Sequence, residues 1–193
     1  MIKIERKTRE TNIMLELEIE GSGKTEIETP IPFFNHMLEA LCRHARFDLN
    51  LKAEGDVDVD PHHLVEDVGI CFGKAVRSYY AERQGITRSG SFAFPMDEAL
   101  ALAAVDLSGR TYLDFDSKAP DEEINSFRLI TLKEFFSGFA NEARATVHIL
   151  IYRKGNAHHV YEAIFKAFGR ALEEALSNHP RERGIPSSKG LIE

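Results

Sequence analysis

The sequence is poor in cysteine, carries no surplus of basic charge and contains no long apolar run, and each shortage excludes a class of protein. Its two cysteines, Cys42 and Cys71, sit among apolar neighbours rather than in a spaced framework, so they read as buried, inert thiols of a reducing compartment. Met1 to Glu20 alternates charged and apolar residues without a signal-type apolar core, and no stretch approaches membrane-spanning length. The expectation is a soluble, cytoplasmic protein with no membrane partner. A formal charge of −7 argues against general nucleic-acid binding, which needs a basic face. A small anionic substrate stays open, because a few local Arg and Lys side chains can hold one phosphate on an acidic protein. What is present is 43% hydrophobic content in 193 residues, enough for a core that needs neither disulfide nor metal to form.

The patterning predicts strands at Ile2–Lys7, Asn12–Glu20 and Lys24–Thr29, with Gly21-Ser22-Gly23 joining the last two as a hairpin. Phe34, Met37, Leu38 and Leu41 recur at helical spacing after Pro30-Ile31-Pro32, ahead of an extended Phe47–Ala53. Beyond Asp60-Pro61, Leu64, Val68, Phe72, Ala75 and Tyr79 share one face of a long helix. The second part of the chain predicts strands around Ser91–Phe94, Ala99–Leu107 and Thr111–Asp116, a helix at Leu132–Glu142, a strand at Ala145–Tyr152 and a helix from His158 to about Ser177.

This order is a repeat. Laying His62–Ala75 over His158–Ala171, a shift of 96 positions, gives identities at His62/His158, His63/His159, Glu66/Glu162, Phe72/Phe168, Gly73/Gly169 and Ala75/Ala171, where chance supplies about one. The double Phe of Phe33-Phe34 recurs as Phe135-Phe136 at a different shift, which implies a short insertion. A single domain of two pseudo-repeats, about 1–87 and 88–193, follows. Packing alone explains the matched Phe residues. It gives no reason to keep two adjacent histidines and a glutamate, which are costly to bury unpaired.

Residues i and i+4 project from one helical face, so His62 with Glu66, and His158 with Glu162, can each grip one ion. His63 and His159, turned about 100° away, must reach something else. If the two helices converge, each ion takes a His–Glu pair from one and the second His of the other. His36, and Glu134 beside the second double Phe, are the candidates to fill a near-octahedral shell. Imidazole and carboxylate donors without thiolate suit Mn²⁺ or Fe²⁺ and also accept Zn²⁺ or Co²⁺; two Mn²⁺ per site is the favoured expectation. His44 and His179 lack such support and read as ordinary polar residues.

Taken together, Arg6-Lys7-Thr8-Arg9-Glu10-Thr11, Phe33-Phe34-Asn35-His36-Met37, His62-His63-Leu64-Val65-Glu66-Asp67, Arg88-Ser89-Gly90-Ser91, Asp106-Leu107-Ser108-Gly109-Arg110, Gly155-Asn156-Ala157-His158-His159, Phe165-Lys166-Ala167-Phe168 and Pro186-Ser187-Ser188-Lys189-Gly190 resemble, in order and over essentially the whole chain, the imidazoleglycerol-phosphate dehydratase family. The resemblance implies an α+β fold of the ribosomal protein S5 domain 2-like type, with two pseudo-two-fold related halves, each a four-stranded sheet with two helices. It implies a homo-oligomer of 24 subunits with sites at subunit interfaces. One ion would be held by His36, His63, His158 and Glu162, the other by His62, Glu66, His159 and Glu134, where the family usually has His.

The reaction so implied is a step of histidine biosynthesis, the dehydration of imidazole glycerol phosphate to imidazole acetol phosphate. Metal on both ring nitrogens makes the ring imidazolate-like and drives out the adjacent hydroxide to a diazafulvene, and a carboxylate then takes the proton from the next carbon. Glu10 matches the family's acid/base glutamate and also touches substrate, with Glu66 and Glu162 as further carboxylates of the catalytic set. Arg88, Arg110, Ser188, Lys189 and Gly190 are expected at the phosphate, and Lys166 near the substrate; Asp106 orients a ligand or starts a turn. Two other readings of the same residues are a two-metal phosphoesterase, releasing phosphate, and a metal-storing shell.

Overall fold

The computed structural model describes residues 1–81, 83–182 and 184. The chain runs β1 (Ile2–Lys7), β2 (Thr11–Glu18), β3 (Thr25–Glu28), α1 (Pro32–Ala45), β4 (Asp48–Gly55) and α2 (Pro61–Tyr80). It then repeats as β5 (Ser89–Met96), β6 (Ala99–Asp106), β7 (Tyr112–Phe115), α3 (Leu132–Ala143), β10 (Thr146–Arg153) and α4 (Ala157–Leu176), with a small hairpin, β8 (Glu123–Ile124) and β9 (Phe127–Arg128), ahead of α3. The sheets have orders β1-β2-β4-β3 and β5-β6-β10-β7, the same topology twice.

Strict alternation makes the strands one-sided. Ile13, Leu15 and Leu17 of β2 and Leu49, Leu51 and Ala53 of β4 are buried, as are Ala99–Val105 of β6 and Val147, Ile149 and Ile151 of β10 at every second position. Helices α2 and α4 cover these faces, and α2 packs on α3 while α1 packs on α4, so the four helices lie between the two sheets. Phe72, Phe135, Phe136, Phe139, Phe165 and Phe168 meet there at ring separations of 5.0–6.5 Å.

Both helix pairs start and stop by the same devices. Asp60 and Asn156 cap α2 and α4, each accepting a hydrogen bond from the backbone N–H two residues on, of His62 and of His158. Arg46 and Arg144 end α1 and α3 in the left-handed region, at φ 59° and 48°. The crossings are tight. A Cβ on Gly73 would meet the Phe139 carbonyl oxygen at 2.7 Å, and one on Gly169 would meet the Leu41 carbonyl oxygen at 2.4 Å. Only glycine lets these helix backbones approach so closely.

Two expectations are corrected. Strands β2 and β3 do not form a hairpin: β2 pairs antiparallel with β1 and β4, and β3 pairs parallel with the far side of β4. The apolar β4 takes the central place, and the Asp48 carboxylate accepts the Ser22 and Lys24 backbone N–H groups at 2.7 and 2.8 Å, so the glycine turn swings past it. The double Phe residues are not equivalent either. The caps and crossings superpose α1 on α3 by 98 positions, Ala45 over Ala143, which puts Phe135-Phe136 over Met37-Leu38 and His36 over Glu134. Met and Leu fill the volume that Phe fills in the other copy, so side-chain identity misled where helix register did not.

Candidate functional site

The N-terminal ends of the helices carry the site. On α4, His158 Nε2 lies 3.1 Å from Glu162 Oε2, the i/i+4 pair expected of one helical face. From α1, His36 Nε2 reaches the same oxygen at 3.4 Å. These three donors form one compact group able to hold a cation, made because α1 of the first half packs on α4 of the second. Phe33 stands edge-on to the His158 ring at 5.1 Å and fixes its tilt. Lys166, one turn further along α4, donates to the other Glu162 oxygen at 2.6 Å. Burial alone pushes the Glu162 carboxyl up, but the Lys166 ammonium and the His36 ring outweigh it and hold the group below the usual glutamate range. The donor set is open on one side: the His36 and His158 side chains are 44% and 40% exposed.

The matching pair on α2, His62 Nε2 and Glu66 Oε2, is 3.5 Å apart. Among the described residues no third donor, Glu134 included, completes a compact group with it. Glu134 lies half-buried in the first turn of α3, the helix that packs on α2, at the position His36 occupies on α1. His63 does not join His36, His158 and Glu162 within the chain. Its Nδ1 meets Asp56 Oδ1 at 3.1 Å, with Glu10 Oε2 at 4.0 Å. The Asp56 carboxylate raises the His63 ring above the ordinary histidine value. His159 likewise turns away, to Glu98 and Asp97. The two His-His helices therefore do not converge inside one chain, because each packs on a helix of the other pair instead.

Glu10 sits at the exposed β1–β2 turn. That turn is pinned to α2: Asp67, 7% exposed, accepts the Thr11 hydroxyl at 2.5 Å and pairs with Arg6 at 2.8 Å. Arg88, at φ 72°, lays its guanidinium on the Asp106 carboxylate through two contacts of 2.7 and 3.0 Å. Arg110 is exposed after the turn that follows β6. Ser188, Lys189 and Gly190 lie outside the described residues. A cavity of about 350 Å³ lined by Ile19, Arg46, Tyr79 and Glu173 holds none of the donors.

Sequence reasoning passed over Asp56, Asp97 and Glu98. The last had a signal: superposing β2 on β6, Thr11 over Ala99, puts Glu10 over Glu98. His44, read as an ordinary polar residue, packs edge-on against Phe94 at 4.8 Å, a ring that also carries the Lys166 ammonium. Burial, then the Lys166 and Arg170 charges, lower its affinity for a proton.

Known proteins share this sequence and fold. The family model described as imidazoleglycerol-phosphate dehydratase matches residues 29–172. A Bacillus licheniformis protein named imidazoleglycerol-phosphate dehydratase is 48% identical over 187 residues, covering 97% of this chain and 96% of the relative. A Bacillus subtilis protein of the same name is 45% identical, with the same coverage. The crystal structure of imidazoleglycerol-phosphate dehydratase from Pyrococcus furiosus, in complex with (S)-C348, superposes with a TM-score of 0.85 at 38% identity, covering 98% of this chain and all of that one. That from Staphylococcus aureus gives 0.80 at 36%, covering 92% and all of it. Near-complete coverage at these identities, on a fold with the same two sheets and helices, shows that the chain belongs to the imidazoleglycerol-phosphate dehydratase family, the hydro-lyases of histidine biosynthesis.

Proposed function

We propose that this protein dehydrates imidazole glycerol phosphate to imidazole acetol phosphate with two divalent cations, Mn²⁺ favoured, bound at its paired His-His-x-x-Glu helices. The observation that carries the reading is the joining of His36 to His158 and Glu162, two imidazoles and a carboxylate drawn from both halves onto one point. Such donors fit a borderline divalent ion, and no thiolate is on offer, since both cysteines are buried. Burial raises the Cys71 thiol to about 11 and the Cys42 thiol higher still, so neither is a thiolate at neutral pH.

When bound, the cations would supply Lewis acidity that favours loss of the azole N–H proton, leaving a ring able to push electrons toward the neighbouring C–O bond. The chain's own groups do the rest. His36, His158 and Glu162 would hold one ion together with His63 of a second copy; His62, Glu66 and Glu134 would hold the other with His159. Lys166 keeps Glu162 ionised and aimed. The Glu10 carboxylate takes the proton from the carbon beyond the departing hydroxyl, the C–O and C–H bonds give up one water between them, and the enol left behind tautomerises to the ketone. Arg88, held by Asp106, and Arg110 would take the phosphate with Ser188, Lys189 and Gly190.

The second copy is part of the proposal. Neither donor set is completed by the described residues of one chain, and the outer face of β6 and β10 leaves Leu100, Leu102 and Leu150 only half-buried and Tyr152 exposed, where the outer face of the first sheet carries Met14 among Lys3, Glu5, Glu16, Lys52 and Glu54. A homo-oligomer, 24 subunits by the family's habit, closes both and leaves nucleic acid and membrane without a role. No helix among the described residues is long and apolar enough to cross a membrane, and the reading places the enzyme in the cytoplasm.

The test is a joint measurement of Mn²⁺ per subunit and of products from imidazole glycerol phosphate. Two ions and a phosphorylated ketone are expected. Inorganic phosphate as the product, or full turnover by chelated protein, sinks the proposal.

A further inference from the structure

The duplicated fold has two copies of the turn that precedes its second strand, and they do different things. Glu10 stands immediately before β2 and Glu98 immediately before β6, and the two strands superpose residue for residue along their length. Each glutamate faces the second histidine of its own half. Glu98 makes full contact: its two oxygens lie 3.0 and 3.3 Å from His159 Nδ1, and Oε1 also accepts the Asn156 backbone N–H at 2.6 Å. Glu10 stays 4.0 Å from His63 Nδ1.

The difference has a structural counterpart. In the first half the His63 Nδ1 position is already filled by Asp56, the residue just past β4, at 3.1 Å. The residue just past β10 is Lys154, whose side chain offers no acceptor, and there Glu98 serves instead. The second half is shaped for it. A Cβ on Gly155 would fall 2.3 Å from Glu98 Oε1, so any side chain there would push the carboxylate out of its present place at the start of α4. Asp97 is a poorer partner, 74% exposed and 3.9 Å from Nε2.

We propose that Glu98 is a positioning residue for His159, holding hydrogen on Nδ1 so that Nε2 carries the lone pair outward, and that its duplicate Glu10 has been released from that task to meet substrate. This rests on the reading of His159 as a metal ligand. A carboxylate on the far nitrogen sets the tautomer and orientation of a ligating imidazole and raises its basicity. Asp56 does for His63 what Glu98 does for His159, so each half keeps one supporting carboxylate, drawn from a different place.

The experiment measures Mn²⁺ affinity of the intact assembly by equilibrium dialysis, for wild type, Glu98→Ala, Glu98→Gln and Glu10→Ala. Glu98→Ala should weaken Mn²⁺ binding about 10–100-fold. Glu98→Gln, which still accepts from Asn156 and His159 without the charge, should fall between, and it carries the test if the alanine variant fails to fold. Glu10→Ala should bind Mn²⁺ as wild type does while turnover is lost. Wild-type affinity in both Glu98 variants overturns the inference, as does a Glu10→Ala protein that loses metal like Glu98→Ala. A wild-type protein that binds no Mn²⁺ brings down the metal reading itself and this inference with it, and is told apart by the wild-type arm alone.

Discussion

His36 Nε2 and Glu162 Oε2 lie 3.4 Å apart, although one belongs to the first helix and the other to the last. The contact exists because α1 packs on α4 rather than on its own neighbour α2. The geometry of this donor group is thus a direct readout of how the two halves are assembled, and disturbing that assembly should disturb the group.

Glu162→Ala removes the carboxylate shared by His36, His158 and Lys166. Loss of a merely supporting partner costs about 10–100-fold in metal affinity or activity, so loss of this group should cost at least that. Metal analysis should show one fewer Mn²⁺ per subunit, and kcat should fall with it. Unchanged stoichiometry would place the ion elsewhere.

Gly169→Ala brings a methyl group to 2.4 Å from the Leu41 carbonyl oxygen and wedges α1 away from α4. Overpacking of this kind costs about 1–3 kcal/mol. Gly73→Ala meets the equivalent obstacle at 2.7 Å between α2 and α3. Both should lower the thermal midpoint, but Gly169→Ala should weaken metal binding at the His36 group as well, which calorimetry with and without Mn²⁺ will resolve.

Asp48 supplies a pH dependence. Backbone N–H donors of Lys24 and Ser22 hold its carboxyl below the usual aspartate value. A depressed folded-state pKa stabilises fully above the unfolded value of about 3.9, and that stability is lost as pH falls from there through the folded value. Chelator-treated wild type should lose thermal stability over this acid window, and Asp48→Asn should show a flatter profile below about pH 4. Parallel profiles would mean that the turn does not depend on the charge.

Arg88→Lys exchanges a two-pronged guanidinium, seated on Asp106, for a point charge. If Arg88 receives the phosphate, KM should rise about tenfold, as for one charge-assisted hydrogen bond, with kcat much less affected. Equal falls in kcat and kcat/KM would instead assign Arg88 to the transition state.

The local elements were legible in the chain. Alternating β2 and β10, the Asp60-Pro61 start of α2 and the His-His-x-x-Glu spacing all follow from backbone periodicity and capping, which act over a few residues. The partners of β3 were not legible, because a glycine turn permits a hairpin but cannot show that β4 competes for the same edge with a stronger apolar pattern. The double Phe misled for a similar reason: apolar identity is exchangeable in a core, while crossing points and caps are not.

Residue order alone settled which chemistry is on offer, since imidazole and carboxylate four positions apart must share a helical face wherever the helix goes. Which donors meet was decided only by packing in three dimensions. His36 joins Glu162 because helices cross between the halves, and Glu98 reaches His159 because β6 lies beside β10 in the sheet, relationships between distant segments that no short-range rule encodes, while His63 turns to Asp56 within its own half.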